Sequence, residues 1–132
     1  MRKIVLDTNV IVSAILSPQG TCSEIMDLVF NNELQAYYCD AILAEYKDVL
    51  SRASLDLNRK MRAMFFEIIR EAGTVITSPT SDIVFPHESD RIFYDTARES
   101  GAVLITGNIK HFPAEDFIMT PSQFLEGFFS AS

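Results

Sequence analysis

The side chains in this chain best suited to chemistry are three carboxylates and one amide, Asp7, Glu45, Asp90 and Asn108. Asp7 directly follows an apolar run, residues 4–6, which predicts a strand buried on both faces of a parallel sheet. A carboxylate at the carboxyl end of such a strand lies where open α/β sheets form their ligand-binding crevice. The alternative is that Asp7, or one of the two polar residues after it, only caps the following helix.

The positions of the other three side chains are predicted in the same way, from the ends of strands and the starts and faces of helices. Asn108 follows a second apolar run, residues 102–105, so Asp7 and Asn108 face one crevice if these two strands are adjacent and parallel. Asp90 begins the helix that precedes the second run, where it could instead be a cap favoured by the helix dipole. Glu45 lies about 100° from the middle of the apolar face of its helix. It is therefore on the flank, where a surface ion pair with Lys47 or Arg52 is the alternative.

Several carboxylates at short range cannot all stay ionised unless cations compensate them. Oxygen ligands of this kind favour Mg²⁺ or Mn²⁺ over zinc, which prefers nitrogen and sulfur. A cation in such a site can orient a water molecule and offset the charge that develops on a phosphodiester. The reaction class predicted by the residues is therefore metal-assisted hydrolysis of a phosphodiester.

Strands and helices alternate along the whole chain, which predicts an α/β fold. We expect three layers, α/β/α, around a central and mostly parallel sheet of four to five strands. The predicted strands cover residues 4–6, 35–39, 74–77, 102–105 and 117–119. The predicted helices cover residues 10–16, 58–72, 90–100 and 121 onwards, with two more between them. One of these is capped by Thr21 or Ser23 and ends at Asn31-Asn32, and the other is capped by Asp40 and runs to residue 50. A polar connector is predicted over 51–57 and an irregular loop over 78–89. Met64 is expected to point inward, and Asp95 to be solvated on the outer side of its helix.

Length and composition favour one folded domain over residues 1–132, with 48% hydrophobic and 22% charged residues. No apolar run approaches the roughly 20 residues that span a bilayer, and no signal peptide is evident, so we expect a cytoplasmic protein without membrane contact. Cys22 and Cys39 lack metal-binding spacing and are expected to be reduced. The net charge of −7 argues against non-specific duplex binding. It does not exclude a nucleic acid substrate, because bound cations reverse the local sign.

These residues resemble the motifs of a PIN domain, the fold of many prokaryotic toxin ribonucleases of the VapC kind. The resemblance rests on Val5-Leu6-Asp7-Thr8-Asn9, on Glu45-Tyr46, on Asp90, and on Thr106-Gly107-Asn108 with Lys110-His111-Phe112-Pro113. It spans essentially the whole chain, including the closing Thr120-Pro121 with Phe124-Leu125. Each motif is weak alone, but four in order at suitable separations are fairly specific.

The resemblance implies that Asp7, Glu45 and Asp90 are the acidic metal ligands of a nuclease site. The family's usual fourth acidic position is Asn108 here, and an amide can ligate a cation but adds no charge, so a second metal should be held less tightly. Thr8, Asn9 and Thr106 are implied to orient ligands or substrate. Lys110 and His111 stand where they could meet RNA phosphates, although His111 could equally be a structural loop residue.

Three functions are compatible with these features. The first is a Mg²⁺-dependent endoribonuclease of single-stranded RNA, acting as the toxin of a type II toxin–antitoxin pair and, as the resemblance implies, forming a homodimer that binds a cognate antitoxin. The second is a catalytically weak or silent PIN-like module that binds RNA or protein, as Asn108 and the acidic surface suggest. The third, a Mg²⁺ phosphatase, is disfavoured because the Asp-x-Asp pair of one common phosphatase class is absent after the first strand.

Overall fold

In the part of the chain that the structure describes, five parallel strands form the centre of the protein and six α-helices flank them. The structure is a computed structural model that describes residues 1–52, 58–77 and 79–130. In chain order the elements are β1 (Arg2–Leu6), α1 (Thr8–Leu16), α2 (Thr21–Phe30), β2 (Leu34–Tyr38), α3 (Asp40–Leu50), α4 (Arg59–Ala72), β3 (Thr74–Val75), α5 (Arg91–Ser100), β4 (Val103–Ile105), β5 (Ile118–Met119) and α6 (Pro121–Ser130). Two 3-10 turns, Glu88–Asp90 and Ile109–His111, precede α5 and follow β4. The predicted three-layer α/β fold is confirmed.

The strand order is β3-β2-β1-β4-β5, with every pair parallel. β1 is central because its last three residues are apolar and almost completely buried, as a strand covered on both faces must be. Its register with β4 pairs Leu6 with Ile105, so Asp7 and Thr106 leave the sheet side by side. The adjacency assumed for the strands that precede Asp7 and Asn108 is therefore correct.

The element boundaries differ from the predicted ones by one or two residues at most ends. β2 begins and ends one residue earlier than expected, and β3 contains only two residues instead of four. α1 begins at Thr8 rather than at residue 10. Residues 53–57 of the predicted connector and residue 78 of the predicted loop lie outside the described residues. Within the described part of the chain, no helix has the length and apolar composition needed to cross a membrane.

The prediction that Met64 points inward is wrong, because this side chain is 51% exposed. The inner face of α4 is centred on Met61, Phe65 and Ile69, which follow one another at intervals of four residues. Met64 lies about 100° around the helix from Phe65 and therefore falls at the solvent edge.

Tyr46 joins α3 to the central strand. Its side chain is 1% exposed, and its hydroxyl donates a hydrogen bond to the carbonyl of Leu6, the last residue of β1. This bond lies immediately below Asp7, so it ties the helix that carries Glu45 to the strand end that carries Asp7.

Replacing Tyr46 by Phe is expected to lower the free energy of unfolding by about 1–3 kcal/mol, because the buried Leu6 carbonyl loses its side-chain partner. Urea unfolding of the purified protein measures this change. Tyr37→Phe is the control, since the Tyr37 hydroxyl makes no hydrogen bond to a described residue. Equal losses in the two variants would show that the Tyr46 bond contributes nothing specific.

Candidate functional site

The site is built where β1 and β4 end. The Asp7 amide donates to the Ile105 carbonyl at 3.0 Å, which continues the ladder by one bond past the strand. The Thr106 hydroxyl then donates to Asp7 Oδ2 at 2.8 Å, and the backbone N–H of Asn108 donates to the same hydroxyl oxygen at 3.0 Å. Thr106 is completely buried and Asp7 is 7% exposed, so this chain of bonds holds two segments 99 residues apart in sequence in one fixed arrangement.

The neighbouring polar residues secure the same corner. The Thr8 hydroxyl donates to Glu45 Oε2 at 3.1 Å, and the Gly107 amide donates to Asn9 Oδ1 at 3.2 Å. Glu45 is half-buried, as its flanking position predicted. Its carboxylate turns towards α1 rather than towards Lys47 or Arg52, and Arg52 pairs with Asp48 instead. The proposed surface ion pair of Glu45 is therefore absent from the described residues.

The alternative that Asp7 and Asp90 only cap helices can be checked against their hydrogen bonds. Asp7 occupies the N-cap position of α1 and Asp90 that of α5, yet neither side chain makes a capping hydrogen bond. The backbone N–H of Asn9 lies close enough to the Asp7 carboxylate to stabilise its charge, but it does not form a capping hydrogen bond. Both carboxylates thus benefit from the positive ends of helices while their oxygens remain directed elsewhere.

Electrostatics show that the three carboxylates lie near one another. Burial raises the pKa of Asp7, and the negative charges of Asp90 and Glu45 raise this pKa further, while the Thr106 hydroxyl and the Asn9 amide oppose the increase. Burial also raises the pKa of Asp90, opposed by His111 and His87. Asp7, at the carboxyl end of β1, therefore lies close enough to both Asp90 and Glu45 for their negative charges to act on it.

The remaining predicted side chains lie on the rim of this edge. Asn108 is exposed and begins the turn Ile109–His111, in which Lys110 is exposed and His111 is partly exposed. His111 Nδ1 lies 3.5 Å from Asp90 Oδ2, and the ring of His87 lies 5.0 Å from that of His111, measured between centroids. Sequence reasoning missed His87, since it lies in a loop without periodicity and no spacing linked it to Asp90.

Asp95 was expected to be solvated, and this expectation is wrong, because the residue is 6% exposed. The irregular segment before α5 folds back over the helix and covers this side, and Asp95 Oδ2 accepts a hydrogen bond from the Ser81 amide at 3.1 Å. A helical wheel places a residue relative to its own apolar face but contains no information on a loop that returns to cover the other side.

Arg91 fixes the same segment and was also missed. Its guanidinium donates to the Ser81 carbonyl at 2.6 Å and to the Ile83 carbonyl at 2.5 Å. It pairs with Glu88 and lies 5.0 Å from the centre of the Phe85 ring. These contacts hold the chain that leads into Asp90, so the position of that carboxylate does not depend on α5 alone.

The contacts of Asp90 suit a cation. Its Oδ2 is buried and makes no hydrogen bond to a described residue, which is costly for a carboxylate oxygen unless a cation or water meets it. No group of three or more Asp, Glu, His or Cys side chains in the described ranges is arranged to hold a metal ion directly. Mg²⁺ usually keeps several waters and binds through one or two carboxylates, so a partly hydrated ion does not require such a group. The oxygen donors of Asp7, Glu45, Asp90 and Asn108 are of the type that this ion prefers.

A separate cavity of about 550 Å³ lies between α3 and α4 and is lined in part by Lys47, Arg59, Arg62 and Phe66. None of the candidate ligands lines it. Arg62, in the first turn of α4, donates to the carbonyls of Leu50 and Arg52 at 2.7 and 3.2 Å, so it has a structural role. The candidate ligands therefore lie outside this cavity.

The fold and the acidic edge define an α/β protein with a candidate cation site suited to phosphodiester hydrolysis. A sequence profile of the PIN domain matches residues 3–110. The chain is 32% identical over 109 residues to the uncharacterised protein MJ1680 of Methanocaldococcus jannaschii, a match that covers 80% of this chain and 70% of MJ1680. This chain belongs to the PIN domain family, whose members are generally nucleases that use divalent metal ions.

A solved structure has a similar fold. It is the crystal structure of VapBC2 from Rickettsia felis bound to a DNA fragment from the promoter, and the superposed chain has a TM-score of 0.57 at 18% identity. The match covers 82% of this chain and 89% of that one. At this identity the similarity concerns the fold, and the predicted likeness to a VapC-type PIN domain is confirmed at that level.

Asp7→Asn is expected to raise the free energy of unfolding at neutral pH by about 0.5–2 kcal/mol, because the amide removes a buried charge repelled by Asp90 and Glu45. The folded-state pKa of Asp7 lies above its ordinary value of 3.8, so the folded protein binds this proton more readily than the unfolded chain. Wild-type stability therefore falls as pH rises from about that value through the folded-state pKa, and the penalty is complete once the pH is above the folded-state pKa.

Urea unfolding at pH 7 and at progressively lower pH measures the difference between wild type and Asp7→Asn. The advantage of the variant should shrink as the pH falls and disappear in acid, where both states of the wild type are protonated. Asp116→Asn is the matched control, because Asp116 is exposed and precedes β5, at the amino ends of the strands and opposite the edge that carries Asp7. A variant less stable than wild type at pH 7 would mean that the Thr106 hydrogen bond outweighs the repulsion.

Proposed function

We propose that this protein is a Mg²⁺-dependent endoribonuclease that hydrolyses single-stranded RNA and acts as the toxin of a type II toxin–antitoxin pair. The observation that carries the proposal is that Asp7, at the carboxyl end of the central strand, lies within electrostatic reach of both Asp90 and Glu45, while neither aspartate makes a helix-capping hydrogen bond. Membership of the PIN family supports the nuclease activity. The similar fold of VapBC2 supports the toxin assignment.

In this proposal Asp7, Glu45, Asp90 and Asn108 hold the metal through carboxylate and amide oxygens. Mg²⁺, or Mn²⁺ in its place, supplies when bound the positive charge that offsets both the carboxylates and the charge developing on the phosphodiester. Thr106 fixes the orientation of Asp7, and Thr8 fixes that of Glu45, through the hydrogen bonds that each hydroxyl donates. Asn9 holds the Gly107 backbone in place, next to Asn108.

Lys110 completes the site on the substrate side. It is exposed on the turn that follows Asn108, where a positive side chain can meet the phosphate next to the one being hydrolysed. The overall charge of −7 makes such local positive groups important for RNA binding. We further propose a cytoplasmic homodimer that is inhibited by a cognate antitoxin.

Asp7→Asn and Asp90→Asn are each expected to abolish Mg²⁺-dependent cleavage of a single-stranded RNA, because each removes a charged ligand while leaving a side chain of the same shape. Gel analysis of cleavage products with purified protein measures the loss, and circular dichroism confirms the retained fold. Asp116→Asn changes the charge equally at the opposite edge and should cleave like wild type. Retained activity in both site variants would rule out this site.

Asn108→Asp is expected to bind Mg²⁺ more tightly and to cleave faster than wild type, because it adds a fourth negative ligand to the three carboxylates. Isothermal titration calorimetry and initial cleavage rates measure the two effects. Asn31→Asp adds the same charge at the C-terminal end of α2, just before β2 and thus at the amino ends of the strands. It should change neither the Mg²⁺ affinity nor the cleavage rate. An Asn108→Asp variant with unaltered metal affinity would place residue 108 outside the coordination sphere.

A catalytically weak or silent module that binds RNA or protein is the second candidate. Two observations favour it, namely the amide at position 108 and the lack, among described residues, of a preformed group of three metal-binding side chains. Titration with Mg²⁺ and Mn²⁺ separates the candidates. An absence of binding at millimolar metal, together with partner binding that a chelator leaves unchanged, would favour the module over the nuclease.

A further inference from the structure

Both histidines of the chain lie on the rim beside Asp90, and their rings pack against each other. His87 is exposed on the segment that leads into Asp90, and its ring centre lies 5.0 Å from that of His111 at an interplanar angle of 53°. His111 directs Nδ1 towards Asp90 Oδ2 at 3.5 Å. The His87 ring is therefore supported by a second ring on one side and open to solvent elsewhere, close to a candidate metal ligand.

Two buried rings hold this histidine pair in place. Phe85, two residues before His87, is 8% exposed, and so is Phe112, the residue after His111. The centres of these two phenyl rings lie 6.2 Å apart in an edge-to-face arrangement, and Phe85 also packs edge-on against Tyr94 at 5.4 Å. This buried contact joins the two segments that carry the histidines, so an aromatic surface is fixed at the rim before any ligand binds.

The position of the pair relates it to a substrate strand. In the proposed function the hydrolysed phosphodiester lies beside Asp90, and both histidines are near enough to this carboxylate to oppose the rise in its pKa. A nucleotide next to the hydrolysed bond therefore comes within reach of the exposed His87 ring.

The charge of the protein shows which kind of contact RNA needs here. Phosphate contacts of Lys and Arg supply most of the affinity of basic nucleic-acid-binding proteins, but this chain has a net charge of −7 and carries Glu88 next to His87. On the turn Ile109–His111 the exposed cationic side chain is Lys110. Stacking of a base on an aromatic ring does not require positive charge, and histidine rings are among those that bases stack on.

We propose that His87 is a nucleobase-stacking residue, whose exposed ring packs against an unpaired base of the RNA next to the hydrolysed phosphodiester. Every base has a π face, so this contact tolerates different bases. A base inside a duplex is already stacked between its neighbours, so the same contact favours single-stranded RNA. The inference deepens the proposed function and rests on it for the identity of the ligand, but base stacking is measured without cleavage.

The test follows the ring C–H proton signals of the two histidines by NMR while a short single-stranded RNA is added with Mg²⁺ to Asp7→Asn, which is expected not to cleave it. Fluorescence anisotropy establishes the RNA concentration that saturates the protein. Spectra of His87→Ala and His111→Ala assign the signals, because the chain contains two histidines. Stacking should move the His87 signals upfield, whereas an abasic oligonucleotide of the same length, which keeps the phosphates, should not.

Variants separate stacking from phosphate contact. His87→Ala should weaken RNA binding about fivefold or more and raise KM with kcat little changed, and His87→Phe, which restores an uncharged ring, should recover most of the affinity. The dependence of affinity on salt should be the same in His87→Ala as in the parent protein. Lys110→Ala is the matched comparison, since loss of one phosphate contact should reduce the salt slope by about 0.7. Circular dichroism shows that each variant is folded.

The outcomes distinguish this inference from the proposed nuclease. Equal shifts of the His87 signals with the abasic oligonucleotide, or an affinity loss in His87→Phe as large as in His87→Ala, would overturn stacking while leaving the nuclease proposal intact. Upfield shifts with RNA that the wild type does not cleave would retain the stacking residue and reject the nuclease. Binding of RNA by neither the wild type nor Asp7→Asn would remove both.

Discussion

The Thr106 hydroxyl is the contact on which the functional edge of this protein depends. It donates to Asp7 Oδ2 and accepts from the backbone N–H of Asn108, so one buried group connects the ends of β1 and β4. It orients the Asp7 carboxylate and holds the backbone of Asn108. The bond is possible because Leu6 and Ile105 are in register, which places residues 7 and 106 side by side beyond the sheet. The parallel pairing of two buried strands thus positions the Asp7 carboxylate.

Much of the fold could be predicted from the sequence because hydrophobic periodicity reflects burial directly. The run at residues 4–6 predicts the central strand since only a strand covered on both faces is continuously apolar, and all three residues are almost fully buried. The positions of Asp7, Glu45 and Asp90 could be predicted from the same pattern, as the end of a strand, the flank of a helix and the start of a helix, respectively. Their role as metal ligands remains a prediction.

The conformation of the segment that precedes Asp90 could not be predicted from the sequence. Its shape is set by the contacts of Arg91 with the Ser81 and Ile83 carbonyls and by the acceptor role of Asp95, none of which has a periodic signature. The error on Asp95 and the failure to identify His87 both arise here. A helical wheel describes one element, whereas these residues are defined by a loop that folds back onto it.

The acidic edge also shows how the fold tolerates a group of charges that repel one another. Asp7 and Asp90 lie at the N-terminal ends of α1 and α5, where the helix dipoles partly offset their charge without capping hydrogen bonds. Thr106 and the Asn9 amide further stabilise the Asp7 carboxylate, yet its pKa is still raised, so these contacts do not cancel the effects of burial and repulsion. The uncompensated part is a destabilisation of the Asp7 carboxylate that a bound cation would relieve. An edge arranged in this way favours cation binding more strongly than one whose carboxylates are each neutralised by protein contacts.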